Sequence, residues 1–232
     1  MVTPVTSEEI PLSGGAVTEG VVRVGDTVRR PPGHATQMMR DVLSHLERVG
    51  FDAAPRWLGV DDQGRDIVTW IEGETFTDRS QMHPYIGDPT DRVTFSDEQV
   101  ASAMLLLRRY HDTFGPDVVC HGDFGPWNLV WRSGLTVAII DFDNAYPGDP
   151  GDDVAYALRM FISYGFSVSE PGELVRRTEA ALGAYGRRFD VPVILDREYD
   201  LAEDRCRRNG WNRELARLPI ERAWLATNHA LF

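Results

Sequence analysis

The sequence predicts an α+β protein of two lobes, a small β-rich N-terminal lobe at residues 1–73 and a mainly helical C-terminal lobe at residues 74–232. Three observations lead there. Short runs rich in β-branched residues, joined by tight turns, fill the chain up to Gly73. Apolar residues at helical spacing dominate the later part. Between residues 118 and 143 a polar cluster sits among small apolar strands, which places a short hairpin inside the helical half.

The elements follow in order. Leu12 to Ala16 reads as a strand opening into a small-residue loop at Gly14-Gly15, and a loop without bulky side chains can approach a phosphate closely. An ordinary turn is the alternative for the same two glycines. Val21–Val24 and Thr27–Arg30 flank a Gly25-Asp26 turn as a hairpin, and Pro31-Pro32-Gly33 ends the second strand. His34 to Val49 has Met39, Val42, Leu43 and Leu46 on one face with Gly50 just beyond, the pattern of a helix packed on a core. A second hairpin is expected from Ala54–Val60 and Arg65–Ile71 around Asp62-Gln63-Gly64, leading into Glu72-Gly73-Glu74.

Beyond the lobe boundary near Gly73, Thr77 to Asp91 contains two prolines and a glycine and is expected to be a surface loop near the cleft. Ser96-Asp97-Glu98-Gln99 has capping-box spacing ahead of a helix over Val100 to Phe114, stopped by Gly115-Pro116. His111, near its end, reads as structural. Helices are expected over Asp153–Tyr164, Glu173–Phe189 and parts of Leu195–Phe232, with breaks near Gly165, Pro192, Gly210 and Pro219.

The chemistry is concentrated in His121-Gly122-Asp123-Phe124-Gly125-Pro126-Trp127-Asn128 and in Asp141-Phe142-Asp143. If Leu129–Trp131 pairs antiparallel with Val137–Ile139 across Arg132-Ser133-Gly134, then Asn128 and Asp141, just outside the hairpin, lie side by side. One carboxylate and one amide oxygen suit magnesium, which takes oxygen ligands and completes its octahedron with waters and nucleotide phosphates. Asp123, in a Gly- and Pro-containing loop, can curl back near that metal and accept a proton from an incoming hydroxyl. The arrangement implies phosphoryl transfer. Asp143 is either a second metal contact or a surface acid.

At these residues the chain resembles the aminoglycoside phosphotransferase and choline kinase group of the protein-kinase-like superfamily. The resemblance rests on His121-Gly122-Asp123 with Asn128, on Ile140-Asp141-Phe142-Asp143, and on Gly148-Asp149-Pro150 with Asp152-Asp153-Val154-Ala155, three blocks in the family's order and spacing. It implies a protein-kinase-like fold and ATP- and magnesium-dependent transfer to a hydroxyl of a small molecule, with GTP as the alternative nucleotide. It implies Asp123 as the base, Asn128, Asp141 and Asp143 as metal ligands, and His121 bracing the loop. Asp153 is expected to cap the next helix or to anchor loop amides. Trp70 to Gly73 becomes the hinge against the adenine, so Trp70, Ile71 and Glu72 join Gly14 and Gly15 as nucleotide-lining candidates, although Trp70 and Ile71 serve equally well as core.

All 24 basic residues are arginine, so the usual phosphate-binding lysine is missing and an arginine must replace it. Arg29 is the expected replacement, since Val28-Arg29 matches the family's apolar-basic step. The glutamate that normally pairs with that lysine has no counterpart near Gln37, Met38 and Met39. Loss of that pair keeps a non-catalytic nucleotide-binding module open as an alternative, and a metal-dependent phosphate hydrolase could use the same acids.

A net charge of -12 argues against nucleic-acid partners and favours cationic ligands. Asp149, Asp152, Glu203, Asp204 and the terminal carboxylate of Phe232 are therefore the candidates for holding a cationic, aminoglycoside-like acceptor. Cys120 and Cys206 have neither disulfide-framework nor zinc-site spacing, no run of about 20 apolar residues is present, and no signal peptide is recognisable, so a cytoplasmic protein without membrane partners is expected.

Overall fold

The β-branched runs of the first 70 residues assemble into one antiparallel sheet. In the computed structural model, which describes all residues except 1–7, 13–19, 34–35, 77–93 and 167–168, it has the order β1-β2-β3-β5-β4. Its strands are β1 (Glu9–Pro11), β2 (Val22–Val24), β3 (Thr27–Arg30), β4 (Trp57–Val60) and β5 (Asp66–Thr69). The expected hairpin around Gly25-Asp26 is present, with Arg23 opposite Val28 and Val24 opposite Thr27. The first strand ends at Pro11, before the expected Leu12–Ala16 run, although the Leu12 amide still donates to Val21. Gly14 and Gly15 lie outside the described residues.

Helix α1 (Thr36–Arg48) buries the face anticipated from its periodicity, Met39, Val42, Leu43 and Leu46. It is tied to the sheet by an ion pair of reversed polarity. The base comes from the helix and the acid from the strand, because Arg40 Nε donates to Asp66 Oδ1 at 2.7 Å. The Trp57 indole donates to the same oxygen at 2.8 Å, so the carboxylate of Asp66, 1% exposed, is well satisfied.

The chain leaves the sheet through Gly73, whose φ of +150° only glycine adopts easily; a Cβ there would stand 2.5 Å from Val130 Cγ1 and 2.7 Å from the Trp131 carbonyl oxygen. That close approach lets Glu74 and Trp131 exchange two backbone hydrogen bonds of 2.8 Å. Trp131 then packs with Phe76, Phe95 and Phe161 in one aromatic cluster under the crossing.

Helices carry the remainder: α2 (Asp97–His111), α3 (Pro150–Ile162), α4 (Pro171–Tyr185), α5 (Val191–Asn209), α6 (Asn212–Leu215) and α7 (Leu218–Asn228). Ser96 forms the expected capping box with Gln99. Pro192 and Pro219, expected as breaks, fall in the first turns of α5 and α7, where a missing N–H costs nothing. Gly210 ends α5 in the left-handed conformation. Inside this bundle Arg159 is held by Glu198 at 2.6 Å and Glu221 at 2.9 Å, all three side chains being no more than 3% exposed. No helix among the described residues is long and apolar enough to cross a membrane.

Candidate active site

The polar cluster lies between the two halves of the chain and is assembled from four pieces of backbone. Strand β6 (Val119–Cys120) pairs with β9 (Tyr146–Pro147), and the hairpin β7 (Leu129–Arg132) with β8 (Leu135–Ile139) holds the other end. Within the hairpin Leu129 faces Ile139, and beyond it the Ile140 amide donates to the Asn128 carbonyl at 2.9 Å. Asn128 thus lies opposite Ile140, one residue before Asp141; the expected pairing holds at Leu129, but a bulge sets Trp131 opposite Thr136 instead of Val137.

The loop between β6 and β7 is fixed from below by one carboxylate. Asp153 accepts from the His121 amide at 2.6 Å, the Gly122 amide at 2.8 Å and His111 Nε2 at 3.0 Å. Burial alone would raise the pKa of so enclosed an acid, but these donors outweigh it and hold Asp153 below the ordinary carboxylate value. Asp153 thus anchors the loop amides, while the cap of α3 is Asp149, which accepts from Gly151 at 2.7 Å. Gly122 has φ of +76°, and a Cβ on it would collide with the Asn144 carbonyl, so the turn before Asp123 requires glycine. His121 is fully buried, its Nε2 bonded to the Ile140 carbonyl at 3.0 Å, and its ring packs edge-on to Phe142. It braces the loop and does not reach the cleft.

Asp123 is held by three donors. Oδ1 accepts from the Tyr156 hydroxyl in a short bond and from the Trp127 indole at 3.3 Å, while Oδ2 accepts from Asn128 Nδ2 at 2.9 Å. Burial, and next the charge of Asp123, push the Tyr156 phenol well above its ordinary pKa, so Tyr156 remains a donor. With Oδ1 engaged twice and Oδ2 once, Oδ2 keeps the lone pair on which an acceptor hydroxyl can dock. Asn128 Nδ2 also donates to the Asp123 carbonyl at 2.9 Å, so both of these side-chain bonds use the nitrogen and the amide oxygen is the atom left to act as an acceptor. Tyr156 was not legible as a site residue. Its signal is the i, i+3 spacing from Asp153, which places both on the side of α3 facing the loop.

Asp141 adopts a left-handed backbone, φ 65° and ψ 66°, which a short polar side chain tolerates better than most. That twist sets Asp141 and Asp143 around a single cation. Arg30 Nη2 donates to Asp141 Oδ1 at 2.8 Å and to Asp143 Oδ2 at 2.6 Å. Here the sequence expectation is corrected, because Arg29, the residue chosen for phosphate contact, faces away, donates to the Thr27 hydroxyl at 2.5 Å and forms an ion pair with Asp61 at 3.7 Å. Adjacent strand residues point to opposite faces, and Val28, on the same face as Arg30, packs towards the core. Two carboxylates and one amide oxygen form a hard donor set fitting magnesium beside nucleotide phosphates. No cluster of three or more His, Cys, Asp or Glu metal ligands occurs among the described residues, so further ligands would have to come from substrate and water.

In the segment expected to meet the adenine, Trp70 lies under the Arg23 guanidinium, 4.2 Å from the ring centroid, and its indole donates to Glu72 at 2.8 Å. The Glu72 carbonyl accepts from Arg132 at 2.8 Å. Ile71 is half-buried between them.

A cleft of about 640 Å³ opens from Asp123, lined by Gly122, Asn144, Tyr146 and Tyr156, by Asp204, Arg205 and Arg208 from the end of α5, and by Trp211 just beyond it. Of the acids expected to hold an acceptor, only Asp204 lines it. Asp149 is spent on its cap, and Glu203 pairs with Arg207 and Arg222. Asp152 is buried and bound to Arg197 at 2.8 Å and to the Tyr146 hydroxyl at 3.1 Å, one step behind the wall. Phe232 packs against Trp224 and Tyr164. Cys120 and Cys206 are free thiols, and burial raises Cys120 far above the reactive range.

Residues 90–191 match the model of the phosphotransferase enzyme family. The trifolitoxin immunity protein of Rhizobium leguminosarum bv. trifolii is 34% identical over 164 residues, 61% of this chain and 57% of that protein, so the match spans little more than half of the curated relative. Among solved structures, a thermostable mutant of aminoglycoside phosphotransferase APH(4)-Ia in complex with ADP and hygromycin B superposes with a TM-score of 0.55 at 16% identity, covering 97% of this chain and 94% of the other. The complex of gentamicin with APH(2")-IIa gives 0.53 at 15% identity, covering 97% and 93%. The first two comparisons locate the relationship in sequence and the last two show the fold. Segment 90–191 is thus similar to the phosphotransferase enzyme family, and the chain as a whole has the fold seen in the aminoglycoside phosphotransferase structures.

Proposed function

We propose that this protein is an ATP- and magnesium-dependent O-phosphotransferase acting on a hydroxyl of a small molecule in the cytoplasm. The observation that carries the proposal is the state of Asp123. It is fixed by Tyr156, Trp127 and Asn128 with one carboxylate lone pair left, at the head of a substrate-sized cleft, and Asn128 lies opposite Ile140, the residue before Asp141. Asp123 would orient the acceptor hydroxyl and take its proton as the phosphoryl group transfers. Asn128, Asp141 and Asp143 would hold magnesium, which when bound offsets charge on the phosphates. Arg30 would turn from the two acids to the phosphates once a metal replaces its charge. The relationship to an immunity protein adds toxins to the acceptors to be screened.

A second reading, a nucleotide-binding module without turnover, draws on Arg30, which already bridges both metal-site acids. Coupled ADP release from the purified protein, with magnesium and a panel of hydroxylated acceptors, decides between them. Acceptor-dependent ADP formation supports the transferase. Nucleotide binding by calorimetry with no turnover across the panel supports the module, and rapid phosphate release without acceptor indicates hydrolysis.

A further inference from the structure

The acceptor wall at the end of α5 carries both signs of charge. Asp204 and Arg208 stand one turn apart, about 6 Å along the helix axis, and both are exposed in the cleft headed by Asp123. One residue earlier, the same i, i+4 spacing closes an ion pair, Arg207 with Glu203. Asp204 and Arg208 do not close, and among the described residues neither has a salt-bridge partner within 4 Å. Arg205, between them in sequence, is already committed, donating to Glu198 at 2.6 Å and lying 5.0 Å from the Tyr156 ring centroid. The wall thus presents one available carboxylate, one available guanidinium and the indole of Trp211.

We infer that the acceptor is a zwitterion, a hydroxyl compound carrying one ammonium and one carboxylate, such as a hydroxylated amino acid or a short peptide with free ends. The inference rests on the phosphotransferase reading and names the substrate class of the same site. Asp204 takes the ammonium, Arg208 takes the carboxylate through a charge-assisted fork, and the hydroxyl is delivered to Asp123. A polycation fits this wall poorly, because Arg208 and Arg205 place two guanidiniums where further ammonium groups would lie. The net charge of -12 still steers the ammonium end inward, so global field and local recognition serve opposite ends of one molecule.

The test is coupled ADP release with magnesium-ATP and four sets of acceptors: L-serine with serine-containing dipeptides, their carboxamides, their N-acetyl derivatives, and gentamicin. Free zwitterions should give the highest kcat/KM. Arg208→Gln should raise KM about tenfold for an acceptor with a free carboxylate and leave its carboxamide unchanged, the scale of one exposed charge-assisted contact. Asp204→Asn should discriminate free amine from N-acetyl in the same way, and neither change should alter KM for ATP. Equal effects of Arg208→Gln on acid and amide, or gentamicin outperforming every zwitterion, would overturn the inference and leave the transferase intact. Bound nucleotide with no ADP formed from any compound would end both.

Discussion

Replacing Asp153 by asparagine perturbs the loop without touching the cleft. The carboxylate receives three donors, two on Oδ2 and one on Oδ1, from groups that are all buried. An amide of the same shape offers one accepting oxygen and one NH₂. Whichever way it is turned, at least one N–H of the loop or of His111 faces another N–H. An unsatisfied buried donor costs about 1–3 kcal/mol, and the lost charge weakens the surviving bonds, so about 2–3 kcal/mol is expected. For a chain of this length that is a drop in Tm of about 5–10 °C. Thermal unfolding followed by circular dichroism at pH 7 measures it. The sign of the pH dependence gives an independent check. Asp153 is held below its ordinary value of 3.8, so its contribution is complete above that pH and is lost as the pH falls through the lower, folded value. The gap between wild type and Asp153→Asn should therefore close on acidification below about pH 4, on the linkage argument. A variant that melts within about 2 °C of wild type at pH 7 would refute the assignment of Asp153 as anchor of the loop, because one unpaired buried donor already exceeds that.

Three further outcomes concern the chemistry. Asp123→Asn should keep nucleotide binding but lose turnover by about 100-fold or more in the coupled assay, the scale of a positioned base, and activity within about threefold of wild type would remove Asp123 from that role. Asp141→Ala should abolish magnesium-dependent nucleotide binding measured by calorimetry, with Asn128→Ala weaker in the same direction; unchanged affinity in Asp141→Ala would place the metal elsewhere. Arg30→Ala should raise KM for ATP by about tenfold, whereas Arg29→Ala, which loses only contacts to Thr27 and Asp61, should leave it unchanged, and the opposite ranking would mean that the strand turns its other face to the nucleotide.

Much of the site was determined by sequence alone because its parts are local. The hairpin follows from strand alternation and a tight turn, which sets Leu129 opposite Ile139 and brings Asn128 to the end where Asp141 begins, whereas the bulge that sets Trp131 opposite Thr136 was not legible. Helix α1 declared its buried face through its period, and Ser96 with Gln99 declared the start of α2. Where partners are distant in the chain, sequence had no purchase. Asp66 pairs with Arg40 across 26 positions and Arg30 reaches Asp141 across 111, so only packing could show that the strand-to-helix ion pair is reversed and that Arg30 bridges Asp141 and Asp143. The choice between Arg29 and Arg30 turns on strand phase, where an error of one residue inverts every side chain. Net charge is a coarse guide for a related reason. It sums all acids equally, whereas the fold spends Asp149 on a helix cap, Asp152 and Glu203 on arginines, and leaves Asp204 beside Arg208 at the cleft. The residue types able to do the chemistry are thus written in the sequence, but which of them remain available to a substrate depends on the partners that tertiary packing supplies.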